Sequence, residues 1–281
     1  MTATPTDRRN VWMGVLAIIA LLLLMAVWIA PLLWALLTSL KPELQAAAQP
    51  IVWLPSPATF ENFASVLTTG NLPRWYANSV ITSLIITVVT LVLSAMAAYA
   101  FSQLTFPGRN VLFWFSLVGF MLPFEALLVP LYKLMNSLGA INTLAGIILP
   151  QLVSPIAIFV FRQFFDQVPK EFREAAVMDG AGELRIMRSI FVPLSANIIW
   201  AIGIVTFIGA WNNFLWPFIV TTAPEQMTIP VGLTQVQSAY GLRYAQTMAI
   251  AILGGLPVIL AYLLFQRKVT EGFLSASGLK G

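Results

Sequence analysis

The chain contains no cysteine and no histidine, and only 9% of its 281 residues are charged. Without thiols there is neither a disulfide framework nor a thiolate metal site, and without imidazole the commonest metal ligand and general base is missing. Those two absences exclude most hydrolase and metalloenzyme chemistries. The scarcity of charge excludes more. A soluble domain carries roughly 25% Asp, Glu, Lys and Arg, whereas here 59% of the residues are hydrophobic. Residues 11–40, 75–108, 134–161, 189–224 and 244–266 hold no charged residue at all. Each stretch exceeds the ~20 apolar residues that cross a bilayer core. The net charge of +4 therefore bears on membrane topology rather than on nucleic acid, and no nucleic-acid partner is expected.

What is present divides into six apolar segments, at about 11–40, 77–103, 111–131, 144–165, 196–221 and 246–266. The expected fold is all-α and membrane-integral, with six transmembrane helices in a single domain over 1–281. Arg8 and Arg9 before the first run, with Ala46, Ala47 and Ala48 after it, imitate a secretory signal. The run is twice the length of a ~7–15-residue signal core, so it reads as an uncleaved first helix.

An even number of crossings puts both termini on one side. With the termini inside, all but four of the 15 Lys and Arg residues lie in inner segments; the four are Lys41, Arg74, Lys133 and Arg243. That is the bias of cytoplasmic loops, so both termini are expected in the cytoplasm. Residues 41–76, with five prolines, form an outer loop too short for an independent domain. Phe106, Pro107, Gly108 and Arg109 read as a tight inner turn.

The longest polar stretch runs over 166–193, on the cytoplasmic side between the fourth and fifth helices, and a polar tail follows over 267–281. Pro169 followed by KEFREAAVMDGAGELRIMRSI predicts a helix from Lys170, an interruption near Gly180 and Gly182, and a second helix to Pro193. Ala175, Ala176 and Gly180 place small side chains on one surface, where another protein's backbone can approach. An amphipathic connector packing on the chain's own helices has the same pattern.

Glu174-Ala175-Ala176, then Gly180, Ile190 and Val192-Pro193, closely resembles the EAA loop of bacterial ABC import permeases, with Val192 where the family pattern has Leu. Further stretches resemble the carbohydrate-uptake branch of maltose and glycerol 3-phosphate type. They include Ser39-Leu40-Lys41-Pro42, Asn78-Ser79, Ala97-Ala98-Tyr99-Ala100, Trp211-Asn212-Asn213 and the ending Leu279-Lys280-Gly281. The resemblance implies a type I ABC importer permease fold in a bacterial cytoplasmic (inner) membrane. It implies three protein partners: a second homologous permease, a cytoplasmic ATP-binding dimer and an extracytoplasmic solute-binding protein. It also implies that Glu174, Ala175, Ala176, Asp179, Gly180, Ala181, Pro193 and Lys280 couple the chain to its ATPase.

No segment matches G-x-x-x-x-G-K-[ST], so ATP and Mg belong to the partner, and no cofactor or metal is expected on this chain. The chain is a transport subunit rather than an enzyme. Intramembrane polar and aromatic residues are candidates for the substrate path: Glu125, Asn212 and Asn213, with Trp211 and Trp216 beside them. Interfacial snorkelling of Glu125 and interhelical hydrogen bonds of the asparagines are the structural alternatives. An ion-gradient-driven secondary transporter is the competing class, and it would need intramembrane carboxylates of which only Glu125 is available. A non-transporting membrane scaffold would leave the motif unexplained. Glycerol 3-phosphate or a polyol stands beside a sugar as cargo.

Overall fold

At 1.5 Å per residue a helix needs about 20 residues to cross a ~30 Å hydrocarbon core, so lengths and breaks decide which segments span. The computed structural model describes residues 5–68, 70–239 and 243–276, with side chains over 12–68, 70–235 and 243–266. Lys280 and the end of the tail lie outside the described residues, as do the side chains of Arg8, Arg9, Arg267 and Lys268. The chain divides into two compact units. One holds residues up to Gly70 with Leu233–Leu253, the other Asn71–Gly232 with residues from Gly254 onward.

In the first unit, α1 (Pro5–Ser39) is apolar on every face from Trp12 to Leu33 and exposes Leu and Trp side chains along that stretch. A helix hydrophobic all round belongs in lipid or against another membrane helix. Beyond it the chain folds back under polar control. Lys41, 1% exposed, donates its ammonium to the Val52 carbonyl at 2.7 Å and lies 4.4 Å over the Trp34 ring. The Asn62 amide, on α2 (Glu61–Thr68), donates to the carbonyls of Ser39 and Lys41, both at 2.8 Å. The Glu43 carboxylate accepts from the Ala245 N–H at 3.2 Å, an anion placed where a helix leaves its first amides unpaired.

The second unit is built on α3 (Leu72–Gln103). Its buried residues include Ser79, Thr82, Ser83, Ile86, Thr87, Thr90, Ser94, Ala95, Ala98 and Tyr99, recurring every three or four positions. Small residues at that spacing let backbones approach closely where lipid supplies no hydrophobic drive between helices. Along this stripe pack α7 (Pro155–Phe165) and α10 (Ala196–Trp211). The hydroxyls need no outside partner where they bond back along the helix, as Thr87 does to the Ser83 carbonyl at 2.6 Å.

Proline breaks several elements that hydropathy reads as continuous. In place of one helix over 111–131 there are α4 (Arg109–Met121) and α5 (Phe124–Ser137), at 101° to one another. Pro123 disfavours helical geometry at its predecessor, and Leu122 is extended at φ −77°, ψ 126°. The segment over 144–165 is α6 (Leu144–Gln151) followed by α7, bent by 45° ahead of Pro155. The one expected over 196–221 stops at Trp211 and resumes as α11 (Leu215–Val220), because Pro217 has no N–H to return to Asn213. Before α10, α9 (Glu183–Leu194) meets it at 83°. Among the described residues, three helices are long and apolar enough to cross a membrane, and three bent pairs could each supply one more crossing. The last described helix, α12 (Tyr244–Ala276), outruns its expected end at 266 by continuing into the polar tail.

Candidate functional site

The polar segment between α7 and α10 owes its form to local chemistry. Pro169 (φ −56°, ψ 134°) holds the chain out of helix, and α8 (Lys170–Met178) begins at the next residue with Glu171 in its positively polarised first turn. It ends on Gly180, at φ +77°. The Ala181 N–H reaches back to the Ala176 carbonyl at 3.0 Å and the Gly180 N–H to that of Val177 at 2.9 Å, which is the Schellman closure. A β-carbon at Gly180 would meet nothing within 4 Å, so the left-handed backbone, not crowding, calls for glycine here. The second helix, α9, widens to a π-type turn over Met187–Phe191 just ahead of Pro193. A wider turn accommodates the missing donor and the ring that would otherwise strike the preceding turn.

Glu174, Ala175, Asp179, Gly180 and Pro193 are exposed, whereas Ala176 and Ala181 are half-buried. The two half-buried alanines pack against an aromatic cluster formed by Tyr99 of α3, Phe161 and Phe165 of α7, and Phe191 of α9. Tyr99 and Phe165 meet Phe191 edge to face at 5.1 Å and 5.4 Å, and Phe161 stacks on Phe165 at 6.0 Å. No residue of α8 itself is buried. An open cleft of about 650 Å³ beside the turn is lined by Gly182, Glu183, Leu184, Arg185, Arg188 and Ser189.

Arg173, Glu183 and Tyr99, the last marked in the sequence only within the Ala97-Ala98-Tyr99-Ala100 stretch, tie this segment down. The Arg173 guanidinium on α8 grips the Glu183 carboxylate on α9 through two nitrogens, Nε at 3.3 Å. The Tyr99 hydroxyl on α3 donates to the same carboxylate at 2.6 Å. The hydrogen-bonded Glu183 carboxylate raises the Arg173 pKa above its already high ordinary value, so the guanidinium stays charged at any physiological pH. Nearby, Ser102 donates to the Asp166 carboxylate at 2.6 Å, fastening the ends of α3 and α7.

The substrate-path candidates fall into two kinds. Trp211 and Trp216 are buried, and each spends its single N–H on a main-chain carbonyl: Trp211 on Gly254 at 3.0 Å, Trp216 on Gly146 at 2.9 Å. Their geometry is that of frame residues. Gly146 is glycine because a β-carbon there would stand 2.2 Å from the Ala140 carbonyl oxygen. Asn213 donates to the Gln151 side-chain oxygen at 2.6 Å, at the bend where the Thr90 hydroxyl also donates to the Gln151 and Leu152 carbonyls. Asn212 and Glu125 are exposed, Glu125 in the first turn of α5. At the far end of α3, Trp75 donates to the Pro224 carbonyl and Asn78 to those of Glu225 and Met227. The sequence reading had no signal for that clasp beyond the Asn78-Ser79 pair.

Residues 90–270 match the family described as the binding-protein-dependent transport system inner membrane component. The chain belongs to that family. The permease is 37% identical over 254 residues to the arabinooligosaccharides transport system permease protein AraQ of Halalkalibacterium halodurans, across 89% of this chain and 91% of that one. It is 31% identical over 279 residues to the trehalose/maltose transport system permease protein MalG of Thermococcus litoralis, across 98% and 99% of the two chains. Among solved structures, a bacterial ABC transporter that imports the acidic polysaccharide alginate contains a chain of the same fold. Its TM-score is 0.84 at 22% identity, covering 95% of this chain and 99% of that one. The permease is thus a multi-pass membrane protein and a transport subunit, not an enzyme. The matched region includes α8, α9 and their aromatic seat.

Proposed function

We propose that the permease moves a sugar or sugar derivative into the cytoplasm as one of two homologous permease subunits. A separate ATPase dimer, holding ATP and Mg, drives the cycle, and an external solute-binding protein delivers cargo. The observation that carries this reading is the exposed surface of Glu174, Ala175, Asp179 and Gly180, presented by a capped helix whose inner side rests on the aromatic cluster. It has the form of a docking helix for a partner's groove. Relatives named for arabinooligosaccharides and for trehalose and maltose support the carbohydrate class.

In this reading the termini are cytoplasmic, each bent pair counts as one crossing, and Lys280 reaches toward the ATPase. Closure of the motor on ATP pushes α8, and the push travels through its seat into α3, α7 and α10 to switch the cavity between outward and inward access. Asn212, Asn213 and Glu125 are the polar groups proposed to line the path, with Trp211 and Trp216 as their frame. The charge-free spans favour a neutral sugar, since a phosphorylated cargo asks for Arg or Lys beside it.

The test is to co-express the permease with its neighbouring genes, purify through a tag on it, and follow ATP hydrolysis with candidate sugars and the binding protein. Recovery of a nucleotide-binding subunit whose hydrolysis rises with one loaded binding protein is expected. A lone chain active in gradient-driven uptake and indifferent to ATP would overturn the reading.

A further inference from the structure

We infer that Tyr99, Glu183 and Arg173 form a strap that makes α8 and the end of α3 move as one body, and that these residues set how much transport each ATP turnover yields. The inference rests on the coupling role proposed above for α8.

A helix that transmits force must be held more firmly than the force that moves it. α8 is nine residues long and contains no buried residue. Its apolar attachment is slight: Ala176 within the helix and Ala181 just past its cap touch the cluster. Helices this short are not stable by themselves, so α8 needs an attachment elsewhere. Arg173 lies on the second turn of α8, and Glu183 opens α9 on the other side of the Gly180 turn. Their two-nitrogen contact closes the helix-turn-helix against splaying.

An ion pair at a partly exposed site is worth little alone. What gives this one a direction is Tyr99. It is 4% exposed, sits inside the aromatic cluster, and places its hydroxyl on the same Glu183 oxygen that Arg173 Nε contacts. Charge-assisted and shared, the carboxylate joins α8, α9 and α3 at one point. Tyr99 lies four residues from the end of α3, so a displacement of α8 enters the long helix near its terminus, where leverage on the rest is greatest. A purely structural surface bridge would not need a buried phenol from a third helix.

The experiment uses the complete importer in proteoliposomes, comparing wild type with Y99F, E183Q and the charge swap R173E/E183R. The readout is the number of cargo molecules moved per ATP hydrolysed. Y99F and E183Q are expected to assemble with the ATPase and hydrolyse ATP, with the transport ratio lowered at least ~5-fold. The swap restores the pair, because a phenolic oxygen can accept where it formerly donated, and is expected to recover most of the ratio. An assembled E183Q complex with the wild-type ratio would overturn the proposal.

For a variant that fails to assemble, wild type decides the matter. The chain has no cysteine, so once the partner subunits are also made cysteine-free, spin labels at E171C and M96C report the distance from α8 to α3. The strap requires one unchanged distance with and without ATP, and a distance that shifts between the two states would overturn it. Wild-type chain that recruits no ATPase would instead remove the coupling reading itself, which is a different result from an assembled complex with a normal ratio.

Discussion

Gly180 shows how one residue can be correctly picked for an incomplete reason. Its position in the motif suggested clearance for a partner's backbone, whereas the fold gives it a second duty, the left-handed close of α8. An L-residue pays about 1–2 kcal/mol for that conformation, and Asn pays least among them. G180V is therefore expected to cut uptake more deeply than G180N at equal membrane abundance, measured by radiolabelled sugar accumulation. Equal loss in both would mean that docking clearance alone sets the requirement. Tyr99, Arg173 and Glu183 could not be picked in the same way. Tyr99 stood out only as part of the Ala97-Ala98-Tyr99-Ala100 stretch and Arg173 and Glu183 only as charges of the polar segment, and their meeting requires positions 84 residues apart, at 99 and 183, to be brought to one carboxylate. The two tryptophans illustrate the converse: their place beside Asn212 and Asn213 marked them as candidates for the substrate path, and only their hydrogen bonds to Gly254 and Gly146 show that the polar end is already used.

At the scale of elements, composition located the apolar segments but not their breaks. Proline gives no rule by itself. Pro31, Pro130 and Pro257 sit inside continuous helices, while Pro123, Pro155 and Pro217 stand at interruptions. Pro123 and Pro155 each follow an extended residue, Leu122 and Ser154, whereas Pro217 is already the third residue of α11 and the break lies ahead of it; which of these arises depends on tertiary contacts a hydropathy window does not register. The helix-turn-helix over 170–193 was legible because its signals are local: Pro169, the glycines and a charged face. The clasp at the start of α3 was not, because its acceptors are backbone carbonyls that carry no side-chain signature. Asn78 satisfies two of them, on Glu225 and Met227, at 2.9 Å each. Losing a hydrogen bond to a buried acceptor costs about 1–3 kcal/mol. N78A is therefore expected to speed amide exchange over 224–229 by roughly tenfold or more, while exchange in α6 stays unchanged, as read by mass spectrometry.

For the molecule as a whole, α3 joins two polar ends. From Asn78, which holds residues 225–227, to Tyr99, which holds α9, is about 30 Å along the helix at 1.5 Å per residue, close to the thickness of a hydrocarbon core. That reading needs the segment after α3 to return across the bilayer, and the 101° bend between α4 and α5 makes this the least obvious crossing. Neither half is long enough alone: 13 residues give about 20 Å and 14 give about 21 Å. The pair either crosses once or dips in and returns to the side it left. A single crossing is the expectation, because Arg109 opens α4 on the side expected to be rich in Lys and Arg, whereas Lys133 near the end of α5 is the only Lys or Arg from Asn110 to Phe161. Thr105 and Leu138 flank the pair and are both exposed. In the cysteine-free chain, T105C and L138C each give a single thiol for a membrane-impermeant maleimide. L138C is expected to label in intact cells and T105C only after the membrane is opened. Labelling of both under the same condition would make the pair a re-entrant loop and, unless another crossing intervenes, place α8 on the face opposite the end of α3, where the Tyr99–Glu183 contact could not form.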